Sequence, residues 1–230
     1  MSLFLSTTSF AQTDGLGTWN TLSSKFAFNK QWYGFFEAQL RSQKTVHDFN
    51  YYEYKAGIGY NFPKNVSIVL AMGHYVTFLP DGDFKKPFIN DEFRIWEQFI
   101  LTNNISRVKL EHRYRFEQRF TSSGYRNRFR YRINAIVPIN NKEVKNKTWY
   151  TSFYNEFFVT NEGPYFEQNR IFLGGGYQFN DHVTIQVGLL NGFSQSTTHT
   201  TTWKNYFQTT LLLSIDKLKS GRELHPSSVD

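Results

Sequence analysis

The stretch at residues 110–120, LEHRYRFEQRF, decides the fold. Read at a period of two, it separates a fully charged face from a face that is mostly apolar or aromatic. The charged face carries Glu111, Arg113, Arg115, Glu117 and Arg119. An α-helix would scatter these charges around its axis, because residues two apart do not share a helical face. The stretch is therefore predicted to be a β-strand with one charged side.

Similar strand-like segments recur along the chain. Residues 126–132, RNRFRYR, form a second charged row directly after the first. Eleven such segments can be counted between turn-forming residues, and no segment has a convincing helical pattern. Because single-chain bacterial barrels have an even number of strands, we expect twelve strands with one missed in the count. Ten are expected if the poorly patterned first segment, 18–28, lies outside the barrel.

The composition restricts the class of protein. The chain has 230 residues, 19% of them aromatic, with a net charge of +7 and no cysteine. No run of eighteen apolar residues is present, which excludes a transmembrane helix. A transmembrane β-barrel remains compatible with the polar average, because its lipid-facing residues alternate with lumenal ones. The arginines alternate with glutamates along strands rather than forming one basic patch, so no nucleic-acid partner is expected.

The alternation leaves open which face meets water. In a soluble lipocalin-like barrel the charged face is outside, whereas in a membrane barrel it lines the lumen. Three features favour the membrane: segments of about 10 to 13 residues, aromatic residues near segment ends, and a charged face built from Arg and Glu with few Lys. We predict an all-β, antiparallel up-and-down transmembrane barrel with a charged Arg/Glu lumen. The soluble barrel is the alternative.

Five sequence blocks carry a resemblance to a known family. They are EFRIWEQ at 92–98, LEHRYRFEQRF at 110–120, RNRFRYR at 126–132, NEFF at 155–158 and FEQNRIFLGGGYQF at 166–179. In order and spacing they resemble an uncharacterised outer-membrane family of Gram-negative bacteria, domain of unknown function 2490. The resemblance covers nearly all of the chain after its N-terminal segment. It implies a β-barrel in the bacterial outer membrane and no activity, because the family has no assigned reaction or substrate.

The chain is predicted to have three parts. Residues 1–11 end in Ser9-Phe10-Ala11, with small residues where a signal peptidase requires them. They are interpreted as the remnant of a secretory signal peptide whose basic start is missing, with cleavage before Gln12. Residues 12–215 form the barrel. Residues 216–230 form a polar C-terminal tail, which departs from the aromatic ending usual in outer-membrane chains.

Two classes of connection alternate along the sequence. Those near residues 29, 64, 103 and 181 are short, whereas those near 46, 83, 124, 163 and 198 are mostly longer and polar. Residues 140–147 are an exception, of medium length where a short turn is expected. Short turns are periplasmic in outer-membrane barrels and longer loops are extracellular. The alternation therefore predicts the orientation of the barrel.

The charged faces define the candidate site. The residues predicted to line the lumen are Glu37, Arg41, Glu53, Lys55, Glu92, Arg94, Glu111, Arg113, Arg115, Glu117, Arg119, Arg126, Arg128, Arg130, Arg132, Glu156 and Arg170. The main hypothesis is an ion-pair network that fills a narrow or plugged lumen. Eleven bases face six acids, and buried unpaired charge is costly. The surplus of five supports an alternative, an anion-preferring pore or a binder of an anionic lipid or phosphate ligand.

An outer-membrane lipid hydrolase is the competing class. Such an enzyme needs a serine within reach of a histidine base. His112 and His74 are predicted to face lipid, and neither has a serine two residues away on its own strand face. We therefore predict no catalytic residue and no enzyme activity. No metal-ligand spacing with more than one histidine is present, so neither a metal nor another cofactor is expected.

The glycine run at 174–176 is not interpreted as a phosphate-binding loop, because no helix follows it. It is predicted to relieve crowding inside a curved barrel or to let a large neighbour such as Arg130 or Trp96 lie across the wall. The expected partners are outer-membrane lipid, the barrel-assembly machinery during biogenesis, and a small anion or a lipopolysaccharide phosphate. The sequence carries no indication of the oligomeric state.

Overall fold

The computed structural model describes residues 11–12, 15–196 and 200–216. Within this part of the chain, eleven strands form the wall of one sheet. They are β1 (Gly17–Ala27), β2 (Trp32–Lys44), β3 (His47–Phe62), β4 (Val66–Leu79), β5 (Lys85–Ile105), β6 (Val108–Thr121), β7 (Gly124–Pro138), β8 (Thr148–Thr160), β9 (Phe166–Gln178), β10 (Val183–Gln195) and β11 (Thr201–Asp216). The predicted signal-peptide remnant and C-terminal tail lie outside the described residues, apart from Ala11 and Asp216.

The sheet closes into a barrel through a parallel seam. Each strand pairs antiparallel with the next, and β1 pairs in parallel with β11, with Thr21 opposite Thr210 and Leu22 opposite Leu211. Residues 11–12 continue the seam by pairing in parallel with Thr202 and Trp203. The first and last strands of an odd up-and-down meander point the same way, so only a parallel pairing can join them.

The strand number corrects the expectation of twelve or ten strands. The eleven segments visible in the sequence are the eleven strands, and the poorly patterned first segment is part of the wall. The error came from applying the even-number rule, which holds for barrels whose seam is antiparallel. Because the count is odd, the sheet is mixed rather than wholly antiparallel.

The pleat of each strand sorts its side chains between two faces. Exposed apolar residues point outward, for example Leu70 and Met72 on β4 and Leu173 on β9, each exposed by half or more. Residues between them along each strand point inward and are mostly buried. Among the described residues no helix is long and apolar enough to cross a membrane.

Aromatic and aliphatic side chains occupy much of the interior. One cluster, from β2, β4 and β5, contains Tyr33, Phe35, Val69, Ala71, Tyr75 and Trp96. A second, from β1, β8, β9 and β10, contains Trp19, Tyr154, Phe172 and Leu190. These clusters lie beside the interior charges and leave less room for an aqueous lumen.

Glycines make space for two of the interior rings. A Cβ atom at Gly59 would lie 2.2 Å from the ring of Tyr33, and one at Gly176 would lie 2.3 Å from the ring of Tyr150. Within the 174–176 run, the rings next to the glycines are therefore Tyr150 and Phe172. Large neighbours do lie against these glycines, as expected, but they are Tyr150 and Phe172 rather than the Arg130 or Trp96 given as examples.

The longest connection among the described residues folds into one end of the barrel. Residues 139–147, between β7 and β8, carry Val144, which is 8% exposed and packs with the inward-facing Ile136 and Tyr150. Arg107 fixes this loop by donating to the carbonyl oxygens of Ile139, at 3.1 Å, and Asn141, at 2.7 Å. We call this end the capped end and the opposite one the open end. The exceptional length of 140–147 is thus explained by its position in the barrel mouth.

The other connections do not differ in length as expected. At the open end, residues 45–46 and 122–123 are two-residue turns, and 80–84 and 161–165 have five residues. Strands extend through sequence that was predicted to be loop, most clearly in β5, which has 21 residues. The length difference that the predicted orientation was based on is therefore absent.

The parallel seam can be tested by disulfide cross-linking in a chain that has no cysteine of its own. We expect Leu22→Cys with Leu211→Cys to form a disulfide on mild oxidation, because directly paired strands are about 4.8 Å apart, within the range a disulfide spans. Cleavage at Met72 should then leave the two fragments joined until reduction. The control pair, Leu22→Cys with Ile215→Cys, is offset by four residues and should not cross-link. Equal cross-linking of both pairs would contradict the seam register.

Candidate functional site

The structure places all seventeen predicted charged residues on the interior face of the barrel. Fourteen are buried, and Arg41, Arg126 and Arg170 are half-buried. They fall into two groups. A small cluster is formed by β2 and β3, with Glu37, Arg41, Glu53 and Lys55. A large cluster is formed by β5 to β9, with Glu92, Arg94, Glu111, Arg113, Arg115, Glu117, Arg119, Arg126, Arg128, Arg130, Arg132, Glu156 and Arg170.

Glu117 is the centre of the large cluster. Its carboxylate oxygens lie 2.6 Å from Nη2 of Arg128, 2.8 Å from Nη1 of Arg130 and 3.4 Å from Nη1 of Arg115. Nη1 of Arg94 is 3.9 Å away. The carboxylate is 0% exposed, so one buried negative charge is shared by four guanidinium groups, away from bulk water.

A second shared carboxylate extends the network toward the capped end. Oε1 of Glu156 accepts from Nη2 of Arg113 at 2.6 Å and from Nη2 of Arg130 at 2.9 Å. Farther along, Nη2 of Arg132 lies 3.4 Å from Glu111. Arg130 bridges Glu117 and Glu156, and this makes the pairs one connected network rather than separate contacts.

The small cluster is organised around one lysine. Nζ of Lys55 lies 2.8 Å from Glu37 and 2.5 Å from Glu53. Glu53 also accepts from Nη2 of Arg41 at 3.2 Å and from the hydroxyl of Tyr51. Both carboxylates are buried, and their positive partners approach from the same two strands.

Aromatic rings provide further partners for the guanidinium groups. Phe158 is 0% exposed, and three guanidinium carbons lie 4.5 to 5.1 Å from its ring centre: those of Arg128, Arg130 and Arg170. The guanidinium of Arg41 lies 3.3 Å from the ring centre of Trp19, and that of Arg170 lies 4.9 Å from it. Desolvated cation–π contacts of this kind are worth up to about 2 kcal/mol each.

Sequence reasoning missed Glu167. This residue faces inward and pairs with Nη1 of Arg119 at 3.0 Å, Nη2 of Arg126 at 2.7 Å and Nη1 of Arg128 at 3.1 Å. Strict alternation with the inward Gln168 would turn Glu167 outward. A β-bulge between Phe166 and Gln168 brings both inward, and a bulge has no marker in the alternation itself.

Two buried lysines add to the interior charges. Lys109 and Lys204 are 8% and 9% exposed and face inward on β6 and β11. Lys109 lies two residues before Glu111, on the same strand face as the charged row at 111–119, so its inward position could have been predicted from the sequence. The position of Lys204 could not, because β11 has no row of charged residues. With these lysines and Glu167, the surplus of positive charge among the named interior residues is six rather than five.

A polar cavity opens above the large cluster toward the open end. We call it the vestibule. It has a volume of about 220 Å3 and is lined by Arg41, Tyr51, Glu53, Thr77, Asn90, Glu92, Arg94, Arg119, Arg128, Arg130, Gln168 and Arg170. It shares Arg41, Gln168 and Arg170 with a second cavity of about 210 Å3 beside Trp19. It shares Asn90 and Arg119 with a third, of about 410 Å3, that reaches the β6–β7 turn.

The two histidines considered as catalytic bases lie on the outer face. Nδ1 of His112 is 2.8 Å from the hydroxyl of Tyr131, and Nε2 of His74 is 2.6 Å from a carboxylate oxygen of Asp91. Within the described part of the chain, no group of three or more His, Asp or Glu side chains could hold a metal ion. The expected absence of catalysis and of a cofactor stays a prediction.

Comparison with known proteins gives one match. The family model described as "Protein of unknown function (DUF2490)" matches residues 16–203, most of the chain. No curated protein and no solved structure matches the sequence. The match assigns the chain to a family whose function is unknown. The activity therefore has to be inferred from the geometry of this chain.

The role of Glu117 can be measured as stability. We expect Glu117→Gln to lower the free energy of unfolding by about 3 kcal/mol or more, because removing one partner of a buried ion pair leaves uncompensated charge. The matched control is Glu97→Gln, which changes an exposed carboxylate on β5 and should cost less than about 1 kcal/mol. Denaturant unfolding followed by tryptophan fluorescence measures both. Equal losses in the two variants would refute the central role of Glu117.

Proposed function

Because the chain belongs to the DUF2490 family, whose function is unknown, we propose from its own geometry that it is a bacterial outer-membrane β-barrel with a closed lumen. The observation that carries this proposal is the inverted distribution of side chains. Buried ion pairs fill the interior, while large apolar residues cover the outside. A soluble lipocalin-like barrel would carry the opposite arrangement.

The outer surface is apolar around the whole circumference. Every strand of the wall exposes at least one large apolar side chain by 39% or more: Leu22, Phe36, Ile58, Leu70, Phe99, Phe116, Phe129, Phe153, Leu173, Leu189 and Phe207, in strand order. Soluble monomers rarely expose a continuous apolar area of more than a few hundred Å2. A band that encircles the barrel supports contact with lipid.

Aromatic residues border this band at both ends. At the capped end the rings of Trp32, Tyr60 and Phe62 contact one another, as do those of Trp149, Tyr177 and Phe179. At the open end the groups of contacting rings are Phe93, Phe120 and Tyr125, and Phe166, Phe193 and Trp203. Phe166 and Tyr177 are eleven residues apart on β9, ~36 Å along the strand. A tilt of about 40° reduces this to ~28 Å of height, close to the apolar band of outer-membrane barrels.

Polar groups on the outer face hydrogen-bond to one another. His112 contacts the Tyr131 hydroxyl, and Nε2 of Gln118 lies 3.4 Å from both carboxylate oxygens of Glu97. His74 is paired with Asp91. Because a polar group in an apolar medium is costly unless it is hydrogen-bonded, these pairings are compatible with a lipid-facing surface.

Closure of the lumen is supported by the interior packing. Near mid-barrel, the side chains of Trp96, Glu117, Phe158 and Phe172 are all 0% exposed. Val144 and its loop occupy the capped end. Side chains fill the interior of barrels of about eight strands, whereas porins of about 16 to 18 strands leave an aqueous channel, and eleven strands are closer to the former. An anion-preferring pore is the second candidate function, and the interior surplus of positive charge is the observation that favours it.

Membrane insertion can be tested by electrophoresis. The folded barrel in detergent should migrate faster before heating than after boiling, because a closed sheet resists dodecyl sulfate until it is heated. A sample unfolded in urea beforehand provides the control and should run at the boiled position. A protein that is soluble without detergent and shows no heat-dependent shift would contradict the proposal.

Closure can be tested in planar lipid bilayers. We expect the inserted protein to give no stable conductance steps, because the ion-paired interior blocks a water path. A large-pore porin inserted under the same conditions verifies that insertion is detectable. Regular steps with anion preference, reversed by Arg128→Glu with Arg130→Glu, would instead establish the anion-selective pore.

The proposal also excludes lipid hydrolysis. His112 hydrogen-bonds to the hydroxyl of a tyrosine, whereas a serine nucleophile would need a histidine within its own hydrogen-bond reach. We expect no turnover of phospholipid or lipopolysaccharide by the refolded protein, measured as release of fatty acid. Turnover that disappears in His112→Ala and persists in His74→Ala would overturn this part of the proposal.

A further inference from the structure

The vestibule holds more positive charge than its carboxylates balance. Six arginines line it, against Glu53 and Glu92. Glu92 is already shared, since it pairs with Arg94 at 2.6 and 2.9 Å and with Arg119. Glu53 is shared with Lys55 of the small cluster. The two carboxylates of the wall therefore pair with three of its six arginines, Arg41, Arg94 and Arg119, and also with Lys55, which lies outside the wall.

The carboxylates below the vestibule are each shared among several guanidinium groups. Glu117 is divided among four guanidiniums, and Glu167 among Arg119, Arg126 and Arg128. Concentrating like charges in a partly desolvated space is costly unless an opposite charge is added. An anion in the vestibule would lower this cost, and the cavity has room for it.

Two of the arginines are held in position before any ligand arrives. Arg41 and Arg170 lie between the vestibule and the cavity beside Trp19, and both guanidiniums contact that ring. Arg41 also contacts the ring of Tyr51 at 4.0 Å, and Nη2 of Arg170 donates to Oε1 of Gln168 at 3.2 Å. Side chains fixed in this way lose little conformational freedom when a ligand binds. Both are half-buried and are reached from the open end.

The shape of these groups indicates the class of anion. A guanidinium presents two parallel N–H donors that match two oxygens of a phosphate or sulfate group. A volume of about 220 Å3 admits one such group with a few waters, each of which takes about 30 Å3 in the liquid. An extended polyanion does not fit this space.

We propose that the vestibule is a binding site for a single phosphate or sulfate group, held by Arg41 and Arg170 together with the arginine wall of β5 to β7. The site goes beyond the proposed closed barrel and does not depend on insertion in a membrane. A bound anion would compensate part of the surplus of positive charge that was counted among the named interior residues. The same chemistry fits a free anion or the phosphate of a lipid headgroup.

The test is calorimetry on the refolded full chain in a non-ionic detergent, titrated with sodium phosphate and sodium sulfate at constant ionic strength. We expect saturable binding of one anion per barrel. Arg41→Gln with Arg170→Gln should weaken it at least about ten-fold, because each removes charge-assisted hydrogen bonds. The matched control is Lys142→Gln with Lys145→Gln, which removes two exposed charges at the capped end and should change the affinity less than about two-fold.

A second arm separates the two sources of phosphate. Diphosphoryl lipid A and its dephosphorylated form are titrated in the same detergent, against wild type and both double variants. Binding of either inorganic anion, or of the diphosphoryl form alone, supports the site if the Arg41/Arg170 variant weakens it at least about ten-fold and the Lys142/Lys145 variant does not. If the Arg41/Arg170 variant fails the heat-modifiability check, Arg170→Gln alone is used. No saturable binding of any probe, or binding that is equal in the vestibule variant and the control, would overturn the proposal.

Discussion

Glu117 and Glu156 each pair with more than one guanidinium, and the strands that carry these residues cannot shift without separating the charges. Their partners come from β5, β6 and β7, so the pairs cross strand boundaries. A slip of one residue would turn every charged side chain to the outer face. Buried charge is tolerated only when it is paired. The interior network therefore specifies the register of the strands that carry it.

The outer surface follows from the same constraint. In a pleated strand, each residue that faces the interior is flanked by two that face outward. A wall that places Arg113, Arg115 and Glu117 inside must place Tyr114 and Phe116 outside, and the structure does so. The apolar outer surface and the charged interior therefore both result from the same alternation of side chains along each strand. This is why the family can be recognised from short blocks of alternating sequence.

The face of each charged residue could be predicted because alternation is local: the two-residue period of 110–120 and 126–132 is enough to assign it. Three other features depend on pairing between distant segments. The bulge at Glu167 is decided by how β9 fits β8. The position of Val144 is decided by the shape of the mouth it fills. The strand number depends on how the first and last strands pair. The count of eleven segments was correct, but the rule that barrels have an even number of strands led to the wrong expectation.

The parallel seam has a consequence for the order of assembly. Ten of the pairings in the wall join neighbours in the chain, so each can form as a hairpin with a short loop to close. The seam joins Thr21 to Thr210, and bringing such distant residues together has the largest loop-closure entropy in the barrel. It is expected to form last. Until then the chain is an open sheet with two unsatisfied edges, the state most susceptible to pairing with another molecule.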